Sequence, residues 1–208
     1  MMLSDCSFIH TENELVNMLG EPSLLAQRKV IDHIDRHVSE FLSKSPFVVI
    51  STANAAGLCD ASPRGDAPGF VSILDSKTLI IPERPGNKRL DSIKNILQNS
   101  QIGLLCIIPG LNETLRINGK ARVTNDQNLL ESMSVKGKIP ILGIVVEVEE
   151  CFIHCAKAFI RSNLWDSTSY DSELPNPASI LSSHAKTLKR DTETIQQQLE
   201  ESYTQRLY

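Results

Sequence analysis

The densest chemistry of the 208-residue sequence lies between Ser62 and Arg89. The run SPRGDAPGF sets Arg64 in a turn among small residues that leave backbone N–H groups accessible. The run ERPGNKR places Arg84, Asn87, Lys88 and Arg89 just ahead of an apolar-periodic segment, LDSIKNILQN. Free N–H groups and the helix dipole draw anions to helix N-termini. A guanidinium offers a planar fork matched to phosphate oxygens. Two arginine-bearing loops joined by one hairpin are therefore a candidate phosphate site. The competing reading makes these cations ordinary surface charges. No G-x-x-x-x-G-K-[ST] or strand-linked G-x-G-x-x-G is present, so any phosphate site here is not a standard nucleotide loop.

Other reactive residue types are weaker candidates. In ECFIHC, Cys151, His154 and Cys155 invite a metal reading. On a strand, however, Cys151 and Cys155 share one face while His154 takes the other, and no second ligand cluster exists to complete a site. The metal expectation is therefore none. The one tryptophan, Trp165, reads as an interface anchor rather than a cofactor stacker. Asp66 and Glu113 are not assigned to proton transfer; Asp66 reads as a loop-fixing or arginine-pairing carboxylate. Arg28, Lys29 and Arg36 read as solvating charges on a helix.

The elements that must position these groups follow from pattern. Thr11 with Glu14 three residues on is a capping box, and Leu15, Met18 and Leu19 continue at helical spacing to Gly20. A second helix is expected from Ser23 to Phe41. PFVVIST is a β-branched run that predicts a strand. The stretch ANAAGLCDASPRGDAPG reads as turn-rich, and FVSILDSKTLIIP as a hairpin turning near Asp75 and Ser76. LDSIKNILQN predicts a helix, QIGLLCIIP a buried strand, and NETLRINGKARV a long alternating strand. Asp126 caps a further helix, ILGIVVEVEECFIHC is a long strand or a bent pair, and AKAFIRSNLW is a short helix. The sum is about six strands without a strand-helix-strand repeat, which favours a small barrel or sandwich. Residues 1–40 form a helical lead-in, 41–165 the β domain, and 166–208 a linker with a helical tail. In that tail Ile180, Leu181, Leu188, Ile195 and Leu199 form a thin apolar stripe.

Composition bounds the class. Lys and Arg total 21 against 25 Asp and Glu. That balance argues against a nucleic-acid coat. Residues 41–165 nevertheless carry 14 basic against 11 acidic residues, while both flanks are acidic, as a central anion-binding body requires. No apolar window is long enough for a membrane span, and the opening residues lack a cationic region before an apolar core. Five cysteines without a C-x-x-C pair argue against a disulfide framework and a zinc ribbon. The expectation is a cytoplasmic protein.

The stretch from SPRGD through RPGNKR to ETLRINGKARV, and on through VEECFIHCAKAFIRSNLW, resembles the pyridoxamine 5'-phosphate oxidase-like, FMN-binding split-barrel superfamily. More narrowly it is similar to a bacterial subfamily marked by S-P-R-G-D, R-P-G-N-x-R and E-T-L-R-x-N-G. The resemblance covers Phe41 to Trp165. It implies a six-stranded split β-barrel in each subunit of a homodimer, with two FMN sites at the interface. It implies that Arg64 meets the FMN phosphate and that Asn87, Lys88 and Arg89 close on it. Thr78 and Leu79 would run beside the isoalloxazine ring, and Thr114 and Arg116 would reach the cofactor from across the dimer. The implied activity is that of an FMN-dependent oxidoreductase or flavin reductase, with a nicotinamide or F420 as electron donor. The alternatives are a non-catalytic FMN-binding, storage or sensor protein and, further off, a haem-binding relative using His154. The vitamin-B6 oxidases carry an Arg-x-x-x-Leu-Lys strand pattern and a C-terminal Arg-x-His segment; this chain has Arg64-Gly-Asp-Ala-Pro-Gly and no such tail segment. Pyridoxamine 5'-phosphate oxidation itself is therefore not expected.

Overall fold

The computed structural model describes residues 6–208; the first five residues of the lead-in lie outside the described residues. The chain divides into two units, Met1–Ile31 and Asp32–Tyr208. In the first, α1 (Glu12–Leu19) begins at the expected capping box. Glu14 N–H donates to Thr11 Oγ1 at 3.3 Å, while Glu14 Oε2 accepts from His10 N–H at 2.9 Å. Gly20, at φ +77°, ends the helix. A second short helix, α2 (Leu24–Arg28), starts on a Ser23 cap.

The expected single helix from Ser23 to Phe41 is two helices. The second, α3 (Arg36–Lys44), has its own cap, with Val38 N–H donating to Asp35 Oδ1 at 2.8 Å. Just before it the backbone is spent on other partners: Ile34 N–H donates to Ser76 O at 2.7 Å, and the Asp32 carbonyl oxygen accepts from Lys77 Nζ at 2.6 Å. Val38, Phe41 and Leu42 are the face that α3 buries.

The body is an antiparallel sheet of seven strands: β1 (Phe47–Ala53), β2 (Cys59–Gly65), β3 (Ser72–Ile73), β4 (Thr78–Glu83), β5 (Gln101–Ile107), β6 (Thr114–Thr124) and β7 (Leu142–His154). Their order is β2-β1-β5-β6-β7-β4-β3. This corrects the six-stranded split β-barrel: the sheet has seven strands and does not close, because β2 at one end has no ladder to β3 or β4 at the other. The extra strand is β2, which the sequence presents as turn-rich. It forms because β1 supplies a full antiparallel partner, from Phe47↔Gly65 to Ala53↔Cys59. Gly57 at φ +79° and the Asn54 side chain, which accepts from the N–H groups of Ala56 and Leu58, make the intervening turn. Pro63 has no N–H to offer along the outer edge of β2, and proline in a sheet belongs on such an edge.

Strands β6 and β7 form the longest ladder, from Thr114↔His154 to Thr124↔Gly143. A bulge interrupts it: Asn118 faces Glu150 and Gly119 faces Val148, so Glu149 is the extra residue. A Cβ on Gly119 would sit 2.0 Å from the Glu147 carbonyl oxygen, so only glycine fits. Fully buried Val48, Ile50, Leu79, Ile81, Leu104, Ile117, Ile144 and Val146 share the sheet's inner face, while Ile80 packs on the other face with Leu130 and Met133.

One helix, α4 (Asp91–Gln98), packs its Ile93 and Ile96 inward beside β1 and β2. Two polar bonds lock it there: Ser92 Oγ donates to Asp60 Oδ2 at 3.0 Å, and Asn95 Nδ2 to Thr52 Oγ1 at 3.1 Å. Short α5 (Gln127–Glu131) starts on Asp126, as expected, and buries Leu130. After β7, α6 (Lys157–Arg161) leads to Trp165, whose Nε1 donates to Leu111 O at 2.9 Å. The tail holds two helices, α7 (Pro177–His184) and α8 (Thr192–Gln205), separated at Lys189, which takes φ +50°, and restarted by an Asp191 cap. Of its apolar stripe Ile195 is buried and Leu199 half-buried; Ile180, Leu181 and Leu188 are exposed. Among the described residues no helix is long and apolar enough to cross a membrane.

Candidate functional site

The two arginine-bearing segments converge. Arg64 on β2 and the whole β4–α4 loop line one cleft of about 690 Å³. These segments belong to strands at opposite ends of the sheet, which meet here through side chains rather than through a backbone ladder. Arg64 Nε donates to Glu83 Oε2 at 3.1 Å, and Arg84 Nε to Asp66 Oδ2 at 2.6 Å. The Asp66 side chain is only 2% exposed. Burial pushes its carboxyl up, but the Ala67 N–H, the Tyr208 hydroxyl and the Arg84 guanidinium outweigh burial and hold it below the usual carboxylate range.

Two of the three Arg64 nitrogens are engaged. Beyond the Glu83 contact, Nη1 donates to Ser62 Oγ and to Pro63 O. Nη2 has no partner among the described residues, and Ser62, having accepted from Arg64, retains its own O–H to donate. On the other wall, Asn87 Oδ1 accepts from Arg89 N–H at 3.0 Å, which shapes the loop. Arg89 forms an exposed ion pair with Asp91 at 2.7 Å; such pairs hold weakly and exchange readily. Lys88 has no hydrogen-bond or ion-pair partner among the described residues.

The loop backbone is strained. Lys88 and Leu90 take φ +61° and +59°, a region that non-glycine residues rarely adopt. Leu90 stands at the N-cap of α4, and no side chain caps the first turn. The N-terminal amides of α4 therefore open beside Lys88 and Arg89 with no side-chain acceptor supplied by the cap. The cleft holds four cations (Arg64, Arg84, Lys88, Arg89) against Asp60, Asp66, Glu83 and Asp91. Any anion taken here would be held by unpartnered donors and loosely held pairs rather than by net charge.

Of the sequence-derived site residues, Arg64, Asn87, Lys88 and Arg89 come together in this cleft. Thr78 and Leu79 do not line it: Thr78 is half-buried opposite Glu147, and Leu79 is fully buried in the core. Thr114 is buried at 2% exposure. Arg116 is exposed, 5.5 Å over the Phe152 ring, and lines a second, shallower cleft with Asn118 and Glu150. Asp60 is common to both clefts. Four participants escaped the sequence reading: Ser62, Glu83, Arg84 as an Asp66 partner, and Tyr208. Ser62 and Glu83 stood in the quoted runs, two residues before Arg64 and immediately before Arg84. Tyr208, 142 residues from Asp66, had no local signal.

The cysteine and histidine cluster separates, but not by strand face: β7 ends at His154, so Cys155 lies past the strand and does not share a face with Cys151. Cys151 is buried, as is Cys106 on β5, and burial pushes both thiols up to about 12. Neither is a thiolate near neutral pH. His154 and Cys155 are exposed at the end of β7, away from the basic cleft.

Residues 34–155 match the family described as Pyridoxamine 5'-phosphate oxidase, a family associated with FMN. The chain belongs to that family. Among solved structures it is similar to a putative pyridoxamine 5'-phosphate oxidase from Lactobacillus delbrueckii, at 19% identity over 59% of this chain and 95% of that one, with a TM-score of 0.47. It is also similar to HupZ from Group A Streptococcus, at 16% identity over 58% and 93% of the two chains, TM-score 0.46. A conserved hypothetical protein from Mycobacterium tuberculosis aligns at 8% identity over 72% and 96%, TM-score 0.45. No curated protein matches the sequence.

Proposed function

We propose that the protein is an FMN-dependent oxidoreductase or flavin reductase that grips the FMN phosphate in the basic cleft. One observation carries this reading: Arg64, Lys88 and Arg89 line a single cleft at the uncapped start of α4. The donor set fits a phosphate ester. Arg64 Nη2, the Ser62 hydroxyl, the Lys88 ammonium and the first-turn amides of α4 are hydrogen-bond donors without a competing acceptor. Arg89 exchanges its exposed Asp91 partner for phosphate oxygen at little cost. A volume of about 690 Å³ is in the range of cofactor pockets.

Bound FMN would supply the redox chemistry, while these residues bind and orient it. Arg64, held by Glu83, Ser62 and Pro63, is a preset fork that needs no reordering on binding. Lys88 and Arg89 are the mobile clamp. A homodimer would add exposed Arg116 from the other subunit, and a nicotinamide or F420 would be the donor; Thr114, buried within its own chain, is not available for that role. Pyridoxamine 5'-phosphate is not the proposed substrate.

The test is a flavin fluorescence titration. Arg64→Ala and Arg89→Ala each lose a charged hydrogen bond, about 1.5–3 kcal/mol, or a roughly 10- to 150-fold weaker Kd for FMN. Riboflavin, without the phosphate, is expected to bind wild type and variants alike. Unchanged FMN affinity in both variants sinks the assignment. Oxidation of a nicotinamide or F420 donor by the loaded protein distinguishes an oxidoreductase from a flavin carrier.

A further inference from the structure

The end of the tail lies in the cleft. Past α8 the chain turns so that Leu207 and Tyr208 join the cleft lining. Tyr208 is held on every side. Its hydroxyl donates to Asp66 Oδ1 at 2.8 Å, and its carbonyl oxygen accepts from Lys138 Nζ at 2.5 Å. The Arg84 guanidinium lies 5.7 Å from the ring centroid and the Lys136 ammonium 5.2 Å. Cations at that range are attracted to the negative ring face. These contacts tie the tail to the loops after β2, after β4 and before β7. They place Tyr208, with Arg84, between the basic cleft and a mostly apolar cavity of about 570 Å³ lined by Pro85, Leu90, Ile139 and Ile141.

We propose that Leu207–Tyr208 is a strap that covers the Arg84 end of the cleft and that a phosphate-bearing ligand must displace. The phenol and a ligand compete for the same ground. Tyr208 occupies Asp66 and screens one face of Arg84, so the cleft is closed at that end while the tail is docked. Affinity for any ligand that needs this end is then reduced by the fraction of molecules with the strap open. The covering role stands on the contacts alone; the ligand it excludes rests on the flavin reading above.

Two measurements separate those claims. The first needs no ligand: labelling of arginines by phenylglyoxal, read by mass spectrometry, with Arg89, whose side chain is 73% exposed, as the internal reference. In Tyr208→Ala, Arg84 is expected to label several-fold faster than in wild type with Arg89 unchanged. Tyr208→Phe, which keeps the ring but loses the Asp66 bond, falls between. Equal Arg84 labelling in all three proteins overturns the strap. The second is FMN titration, where Tyr208→Ala is expected to bind about fivefold tighter or better, the size of one lost competing hydrogen bond. Weaker FMN binding in Tyr208→Ala overturns the strap as well, since it makes Tyr208 a wall of the site. Faster Arg84 labelling with no FMN binding to any variant upholds the cover and refutes the flavin reading.

Discussion

Asp66 shows how one carboxylate governs a site it does not catalyse in. It is the most buried charged group of the cleft, yet it is ionised because Arg84, Tyr208 and the Ala67 amide surround it. Removing one partner of a buried pair leaves the other charge desolvated. Arg84 retains some solvent and the ring of Tyr208, so Asp66→Asn is expected to cost about 1–3 kcal/mol, read as a lower denaturation midpoint. The pH dependence has a definite sign. A carboxyl whose folded pKa is depressed stabilises the protein above its ordinary pKa, and that contribution is lost as pH falls through the depressed folded value. Wild type should therefore lose more stability than Asp66→Asn between pH 4 and lower pH, starting from the ordinary aspartate value of 3.8. Parallel acid profiles for the two proteins rule out this role. Asp32, held down to about 2 by its Lys77 bond, adds to both profiles equally.

Among the elements, the β6–β7 ladder decides which way the second cleft faces. The bulge at Gly119 places Glu149 out of register, where it pairs with Lys120 at 3.0 Å, while Asn118 keeps its bond to Glu150 at 2.9 Å. A methyl group on Gly119 collides with backbone rather than with a movable side chain. Gly119→Ala is expected to lose about 2–4 kcal/mol, well beyond a surface alanine substitution. Thermal unfolding monitored by circular dichroism checks this, and a Tm within a degree or two of wild type contradicts it. Strand β2 is the opposite case. It holds few strand-forming side chains, and its existence depends on β1 and on the bonds from Asp60 to Ser92. Its reward is functional, because it carries Ser62 and Arg64 to the cleft.

The whole molecule presents apolar surface beside the cleft. Ile141 is 81% exposed, and Leu90 and Ile139 stand about 40% exposed, next to a largely apolar cavity. A contiguous exposed apolar patch of this kind is a candidate contact surface. The proposed shared-site homodimer would account for it and for the separation of Arg116 from Arg64 within one chain. An obligate interface of this sort buries more than ~2,000 Å². Sedimentation velocity at micromolar protein is expected to give a dimer with and without FMN. A monomer that binds one FMN tightly defeats the shared-site proposal.

Local chemistry wrote much of this protein into its sequence. The caps at Thr11 and Asp126, the turn near Asp75, the strands β1, β4, β5, β6 and β7, and the arginine loops were legible because each depends on neighbours within a few residues. The family resemblance rested on the same runs, and the match over residues 34–155 agrees with it. What the tertiary structure decided was every feature whose cause is distant in the chain. Strand β2 needs a partner to overcome its poor propensity. The break between α2 and α3 follows from hydrogen bonds to a turn about forty residues away. The open seven-stranded sheet, in place of a six-stranded barrel, depends on whether its ends form a ladder, and strand patterns are identical in either case. The partners of Arg64 and Arg84, and the presence of Tyr208 in the cleft, were set by approaches of 19, 18 and 142 residues in sequence. Periodicity carries no trace of such pairings, because it records which face a residue takes and not what it meets there.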